Sequence, residues 1–447
     1  MISNWLNIAK CLHWSKFPKI EINLFNDNKF YWFPDGKIDL YHNFILQHPK
    51  NKKAIITICG NKTNSYTYEE LDILVDKLFF FISQKKNKVK KILIHSSSSI
   101  ESAISMLMCV KLGIYFSVVF EDLPISALEK RINLFKPDLV LSRKGISKID
   151  RIKKKNFLYL DFKSFWKYKI KIYKRYKSKV LNPKNNFFCL FTSGSTGEPK
   201  GIVHSYGGYT VYANYTCRKQ FGMKKKSIVF TASDAGWING HTYALFGPLS
   251  IGSKTILIDK PVNILNAEIL DLVIKQNPTI IYLPVTLIRL LKLTSTKRTY
   301  NFTSLKTVGS MGEPLAPKVG EWFLKKFNLV NNAIINTYFQ TETGGIISSP
   351  KYTENKRSSP PGCVGKIINP LIKIKELGKK NKKEFVIKTK WPGCMTDVIN
   401  GKKVWNNYFD KDGYFRLFDL ATLVKKNIYI HGRIDDVVNI RGHRIGS

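Results

Sequence analysis

Between Lys91 and Ser142 short apolar runs alternate with one helix-length segment, and this alternation constrains the fold more than any other feature of the chain. Lys91-Ile-Leu-Ile-His95 reads as a buried strand. The segment from Glu101 to Leu112 carries apolar residues at helical spacing, and Gly113 ends it. Ile114 to Phe120 and Pro137 to Ser142 are two further runs rich in β-branched or aromatic residues. Strand–helix–strand order of this kind predicts parallel sheets covered by helices, an α/β fold. From about Tyr352 the signals change to short strands and Gly/Pro turns, which predicts a small β-rich subdomain. The basic stretch from about Ser147 to Lys184 reads as a connection.

The chain has 447 residues, 44% of them apolar and 13% aromatic, so a large core is expected and wholesale disorder is excluded. No uncharged apolar stretch of about 18 residues occurs, so no membrane helix is expected. The first residues lack the pattern of a secretory signal, and the seven cysteines are scattered without a Cys-x-x-Cys pair. The cytosol is the expected compartment.

Lys plus Arg number 73 against 32 acidic residues, a net charge of +41. A nucleic-acid binder would have such a surplus. The lysines are spread through the chain, however, and Asn and Ile are abundant beside them. Codon drift in an AT-rich genome accounts for all three residue types, whereas nucleic-acid binding accounts only for lysine. The charge therefore reads as a solvated surface, and neither nucleic acid nor membrane is expected as a partner.

Chemistry concentrates first in Phe187-Phe-Cys-Leu-Phe-Thr-Ser-Gly-Ser-Thr-Gly-Glu-Pro-Lys-Gly201. An apolar strand delivers a loop of hydroxyls and glycines closed by a lysine. Gly194 and Gly197 free backbone N–H groups to face an anion, Thr192, Ser193, Ser195 and Thr196 add donors, and Lys200 adds charge. A phosphate chain requires this set, although the spacing is not that of a Walker A loop.

The same loop resembles the phosphate loop of the adenylate-forming superfamily. Four more segments narrow the resemblance to the AMP-forming acetyl-CoA synthetase family: Asp234-Ala-Gly-Trp-Ile-Asn-Gly-His241, Gly309-Ser-Met-Gly-Glu-Pro314, Tyr338-Phe-Gln-Thr-Glu-Thr-Gly-Gly345, and Gly432-Arg-Ile-Asp-Asp-Val-Val-Asn-Ile-Arg-Gly-His-Arg-Ile-Gly446. Trp32 to Gly36 and Tyr66 to Leu71 also fit, and the match runs collinearly along nearly all of the chain.

This resemblance implies the large N-terminal domain of the adenylate-forming enzymes: two βαβ-built sheets plus a small β-barrel-like subdomain. The expected divisions are 1–184, 185–351, a β-rich 352–433, and a hinge stub at 434–447. The implied activity is acetate–CoA ligase (AMP-forming), with ATP, Mg²⁺ and coenzyme A as cofactor and co-substrates. Propionate or another short acid is the alternative substrate, and a truncated, weakly active or inactive ATP/AMP-binding remnant the alternative role.

The family's roles carry over residue by residue. Thr192, Lys200, Glu342 and Arg444 are implied in catalysis, with Glu342 on the Mg²⁺. Gly312, Glu313, Pro314, Asn336, Thr337, Tyr338, Phe339 and Gln340 are implied around adenine and the α-phosphate, and Thr341 beside Glu342 at the ATP phosphates and Mg²⁺. Asp419 and Arg433 match ribose contacts. Trp237, Ile238, Asn239, Met311 and Phe339 match the acyl pocket, Arg441 and Gly442 the coenzyme A path, and Asp435 the hinge. Phe339 stands where the family has Trp, which frees volume, while Met311 and Ile238 replace Val and take it back, so a short acid is still expected. His204, His241 and His443 read as packing or hydrogen-bonding histidines.

The pattern departs in places. The glycine before the ribose aspartate is Phe418, the aspartate before the adenine-loop threonine is Asn336, and the serine by the thiol path is Arg441. The arginine-rich segment for the coenzyme A phosphates is not recognisable near Ser142 to Lys148. The family's small C-terminal domain, with its α-phosphate lysine, is not expected in this chain. An eroded gene, a separate chain carrying that domain as partner, or a fragment would each account for it.

Overall fold

The computed structural model describes residues 4–86, 88–144, 157–168, 174–193, 198–259, 267–294, 300–329, 334–350, 360, 362–367, 374–377, 384–399, 401–434, 437–440 and 443–446. The strands read from the sequence form at Lys91–His95, Tyr115–Val119 and Leu139–Ser142, and they pair in parallel. The intervening helix is Ile100–Leu112. Ser99 caps it by accepting from the Ser102 N–H, and Gly113 ends it at φ 64°, a left-handed conformation that favours glycine.

Two seven-stranded sheets organise the described residues. In the first, the parallel strands continue outward to Leu158–Asp161, so the region read as a plain connection contributes an edge strand and the short helix Phe162–Lys167. On the other side Asn186–Ser193 runs parallel to Tyr115–Val119, then turns back antiparallel as Pro199–Ser205. Asp397–Ile399 closes that edge against Gly201–Val203.

The second sheet contains Ile228–Thr231, Lys254–Ile258, Ile280–Pro284, Thr307–Met311 and Ile334–Asn336, all parallel. Lys53–Cys59 joins it in parallel beside Lys254–Ile258, and Lys62–Thr67 makes its antiparallel edge. The sheets therefore interleave along the chain, and the boundary expected at 184/185 does not separate them. Apolar runs specify that a strand is buried, but which sheet it joins depends on the crossover path, which hydrophobic patterning does not encode.

The expected β-rich region supplies a four-stranded antiparallel sheet of Ile374–Leu377, Glu384–Ile387, Phe415–Val424 and Asn427–Arg433. It is fused to the α/β layers. Phe385, Phe415 and Leu417 share one buried cluster with Trp5, Phe188 and Phe246. A second cluster packs Phe230, Ile256, Leu283 and Val308 of the second sheet against helices that carry Ile288 and Phe323.

Candidate active site

The loop-bearing hairpin sets Thr192 opposite Lys200 in its ladder. The antiparallel pairing thus sets a hydroxyl-bearing and an ammonium-bearing residue across from each other. Ser193 ends the first strand, and its side chain lies outside the described residues, as do Gly194, Ser195, Thr196 and Gly197. The Lys200 Nζ lies 5.7 Å from the ring centre of Tyr408. The Tyr408 hydroxyl in turn donates to Glu342 Oε1 at 2.8 Å.

Glu342 sits in the single 3₁₀ turn Thr341–Thr343, which would fray if unsupported. Four contacts hold it. Gln340 N–H donates to the Thr343 hydroxyl at 3.0 Å, and Met395 N–H donates to Glu342 O at 2.8 Å. Trp391 Nε1–H donates to Thr343 O at 3.1 Å. The fourth contact joins His204 Nε2 to Thr341 O at 2.8 Å. A carbonyl only accepts, so the ring carries its proton there. Burial pulls His204 down to about 4, so it stays neutral. Gly344, at φ 67°, lies so near Gly393 that a Cβ would come within 2.2 Å of the Gly393 carbonyl.

Where the resemblance implies ribose contacts, Asp419 Oδ2 accepts from the Tyr338 hydroxyl and from Gln340 Nε2, each at 2.6 Å. Gln340 also donates to Leu417 O at 2.6 Å. Arg433 faces Asp419 across the antiparallel ladder. Burial pushes the Asp419 carboxyl above its ordinary range, against these hydrogen bonds and the Arg433 charge. Lys200, Tyr408 and Glu342 thus adjoin one another, and Gln340, two residues before Glu342, extends the group to Asp419.

The residues expected around adenine divide. Asn336 Oδ1 accepts from the Ser310 hydroxyl at 3.0 Å while its Nδ2 donates to Cys363 O at 3.1 Å. The departure from aspartate has a reason here, since a carboxylate could not donate to that carbonyl. Thr337 donates to Ser310 O at 2.8 Å. Gly312 adopts φ 89° with open space where a Cβ would be. Glu313 turns outward to an exposed ion pair with Arg289 at 2.7 Å, and Pro314 O accepts from the same guanidinium.

Among the acyl candidates, Met311 and Ile238 are buried, and Phe339 is half-buried, packing edge-on to Tyr243 at 5.7 Å. Trp237 is 51% exposed with its ring against Phe120 at 5.1 Å. Asn239 Oδ1 is buried without a hydrogen-bond partner in the described structure. Arg444 belongs to a short strand, His443–Gly446, but its side chain lies outside the described residues, and so do Asp435, Arg441 and Gly442 altogether.

Tyr408 and His204 were not among the residues the motifs singled out for the site. Tyr408 follows Lys402–Asn406, a segment with no site signature, and only folding brings it to Glu342. No group of three or more His, Cys, Asp or Glu among the described residues could hold a metal ion. Nor is any described helix long and apolar enough to cross a membrane.

Comparison with known proteins gives the family. The AMP-binding enzyme family matches residues 43–386. Acetyl-coenzyme A synthetase of Helicobacter pylori (strain G27) is 30% identical, covering 99% of this chain and 74% of that protein. The Leptospira biflexa serovar Patoc (strain Patoc 1 / Ames) enzyme of the same name is also 30% identical, with 99% and 76% covered. The solved acetoacetyl-CoA synthetase from Streptomyces lividans superposes with a TM-score of 0.84 at 14% identity over 99% of this chain and 74% of that one, a likeness of fold. The chain belongs to the AMP-binding enzymes, as a member of the acetyl-coenzyme A synthetase family of ligases, which form a carbon–sulfur bond.

Proposed function

We propose that the chain activates acetate with ATP, giving acetyl-adenylate and pyrophosphate, and passes the acetyl group to coenzyme A. The observation that carries this reading is the junction of Lys200, Tyr408 and Glu342 next to the Gln340–Asp419 pair. Phosphate-binding and ribose-binding chemistry lie side by side there. Asp419 offers acceptors to ribose hydroxyls, with Arg433 beside it. Thr192 and Lys200 supply a donor and a positive charge to the phosphates as negative charge grows on them.

Glu342 fits a divalent cation that arrives with the nucleotide. Its side chain accepts the Tyr408 hydroxyl through Oε1, which leaves a carboxylate acceptor capacity for a hard cation, and one carboxylate plus substrate phosphates is the usual protein share for Mg²⁺. When bound, Mg²⁺ would neutralise phosphate charge. The Tyr408 hydroxyl orients the carboxylate, and the supported 3₁₀ turn fixes its backbone.

For the acid, the buried Met311 and Ile238 and the half-buried Phe339 support a short acyl group. Acetate is favoured over propionate only slightly, because an apolar pocket separates one methylene by about 1–3 kcal/mol. The seven free cysteines are in keeping with a cytoplasmic site of action. ATP–pyrophosphate exchange with acetate, propionate and hexanoate tests the reading. Exchange dependent on the two short acids is expected. Exchange best with hexanoate would overturn the acyl assignment, and ATP binding without exchange for any acid would favour a nucleotide-binding remnant.

A further inference from the structure

We propose that Phe418 is a positioning residue for the nucleotide site, holding the Arg433 guanidinium and the Tyr408 ring where each serves its neighbouring carboxylate. The proposal rests on the adenylation reading above, and it deepens that reading by adding a residue with no polar group of its own.

The backbone gives the first observation. Phe418 adopts φ 56°, inside the left-handed region where a bulky L residue is strained. It does so in the strand Phe415–Val424, immediately before Asp419, where the ladder with Asn427–Arg433 shifts register just beyond, between Leu420 and Ala421. The Ile434 N–H donates to Phe418 O at 2.9 Å and holds the kink in place. Glycine would adopt this conformation without strain.

The ring gives the second. The Arg416 guanidinium stacks 4.6 Å from its centre, and the Arg433 guanidinium lies at 6.0 Å. Arg416 is itself fixed by a two-pronged pair with Glu384, Nε at 2.8 Å and one terminal nitrogen at 2.9 Å. Tyr408 meets the Phe418 ring edge-on at 5.6 Å. One aromatic ring therefore reaches from an anchored arginine to the cation that faces Asp419 and to the phenol that donates to Glu342.

Both carboxylates depend on neighbours that this ring touches. Cation–π attraction keeps Arg433 near the strand, and the edge contact limits the swing of the Tyr408 ring. Removing the ring frees both groups while leaving every hydrogen bond of Asp419 and Glu342 chemically available.

ATP·Mg²⁺ affinity by calorimetry and the thermal midpoint of the full chain test the proposal on Phe418→Gly, Phe418→Leu and Phe418→Tyr. The glycine variant is expected to lose affinity about three- to tenfold, the scale of a cation–π contact, with its midpoint unchanged or raised by relief of the strain. The leucine variant keeps the strain and the bulk, loses the π face, and is expected to weaken binding similarly. Tyrosine should bind within about twofold of wild type. Glycine and leucine variants that bind like wild type would overturn the proposal. So would affinity losses in both that merely follow a falling midpoint, since Phe418 would then be only packing. A wild-type chain that binds no ATP would instead remove the adenylation reading, and this proposal with it.

Discussion

The Tyr408 hydroxyl donates to Glu342 Oε1 at 2.8 Å, across 66 residues of sequence. A residue just beyond a short surface helix thereby orients the carboxylate assigned to the cation. A hydrogen bond to a charged group contributes about 1.5–3 kcal/mol. Tyr408→Phe should lower the rate of ATP–pyrophosphate exchange by about tenfold or more, while the aromatic packing against Phe415 keeps the fold intact. An unchanged exchange rate would show that the hydroxyl does not orient Glu342.

Asp419 accepts two side-chain donors at 2.6 Å, and Arg433 faces it. Asp419→Ala should weaken ATP·Mg²⁺ binding by about 1–3 kcal/mol, the value of a charged hydrogen-bond partner. Calorimetry measures it directly. Equal binding by wild type and variant would remove the ribose assignment.

Arg143 ties the ends of several elements together. It makes a two-pronged pair with Asp259 at 2.7 and 2.9 Å, and approaches Glu121 at 3.3 Å and Glu101 at 3.8 Å. Asp259 follows a strand of the second sheet and Arg143 a strand of the first, so the pair clasps the two sheets. Arg143→Ala leaves these acids facing one another without their cation and should cost about 3 kcal/mol in urea unfolding. Adding Asp259→Asn to that variant should recover part of the loss. A single variant as stable as wild type would count against the clasp.

Stability should fall in mild acid. Burial pulls His204 down to about 4 and His241 to about 3, against about 6.5 in an unfolded chain. Between those values the unfolded chain binds more protons, so the contribution is whole above about pH 6.5 and is lost as pH falls toward 4 and 3. Asp234 has the opposite sign. Burial pushes it up to about 6, so the stability it adds in acid disappears as pH rises through 6. Two histidines outweigh one aspartate, and unfolding free energy should drop by roughly 4 kcal/mol between pH 7 and pH 4. A flat profile over that range would mean that these rings are protonated or solvated.

The proposed acid preference rests on side-chain volume. Phe339→Trp narrows the half-buried position beside Tyr243. It should shift exchange further from propionate toward acetate, by a change in kcat/KM ratio of about tenfold, within the 1–3 kcal/mol that one methylene is worth. A shift toward propionate would place Phe339 outside the acyl site.

Local chemistry carried much of the outcome. Alternation of apolar runs with a glycine-ended helix was enough for the α/β class, because those signals are written in neighbouring residues: Ser99 and Gly113 cap Ile100–Leu112 by contacts within one turn. The expectation of phosphate chemistry at the hydroxyl- and glycine-rich loop is local in the same way. Tertiary structure decided what neighbouring residues cannot encode. It sent Lys53–Cys59 to the sheet of Lys254–Ile258 and Asn186–Ser193 to the sheet of Tyr115–Val119, since pairing depends on the crossover path of the whole chain. It brought Tyr408 to Glu342 and His204 to Thr341 from residues that carry no site motif. At Phe418 the sequence showed only a missing glycine. The fold kept the left-handed turn that glycine would favour, and set an aromatic ring between Arg416 and Arg433, because long-range contacts can hold one residue in a conformation its own side chain disfavours.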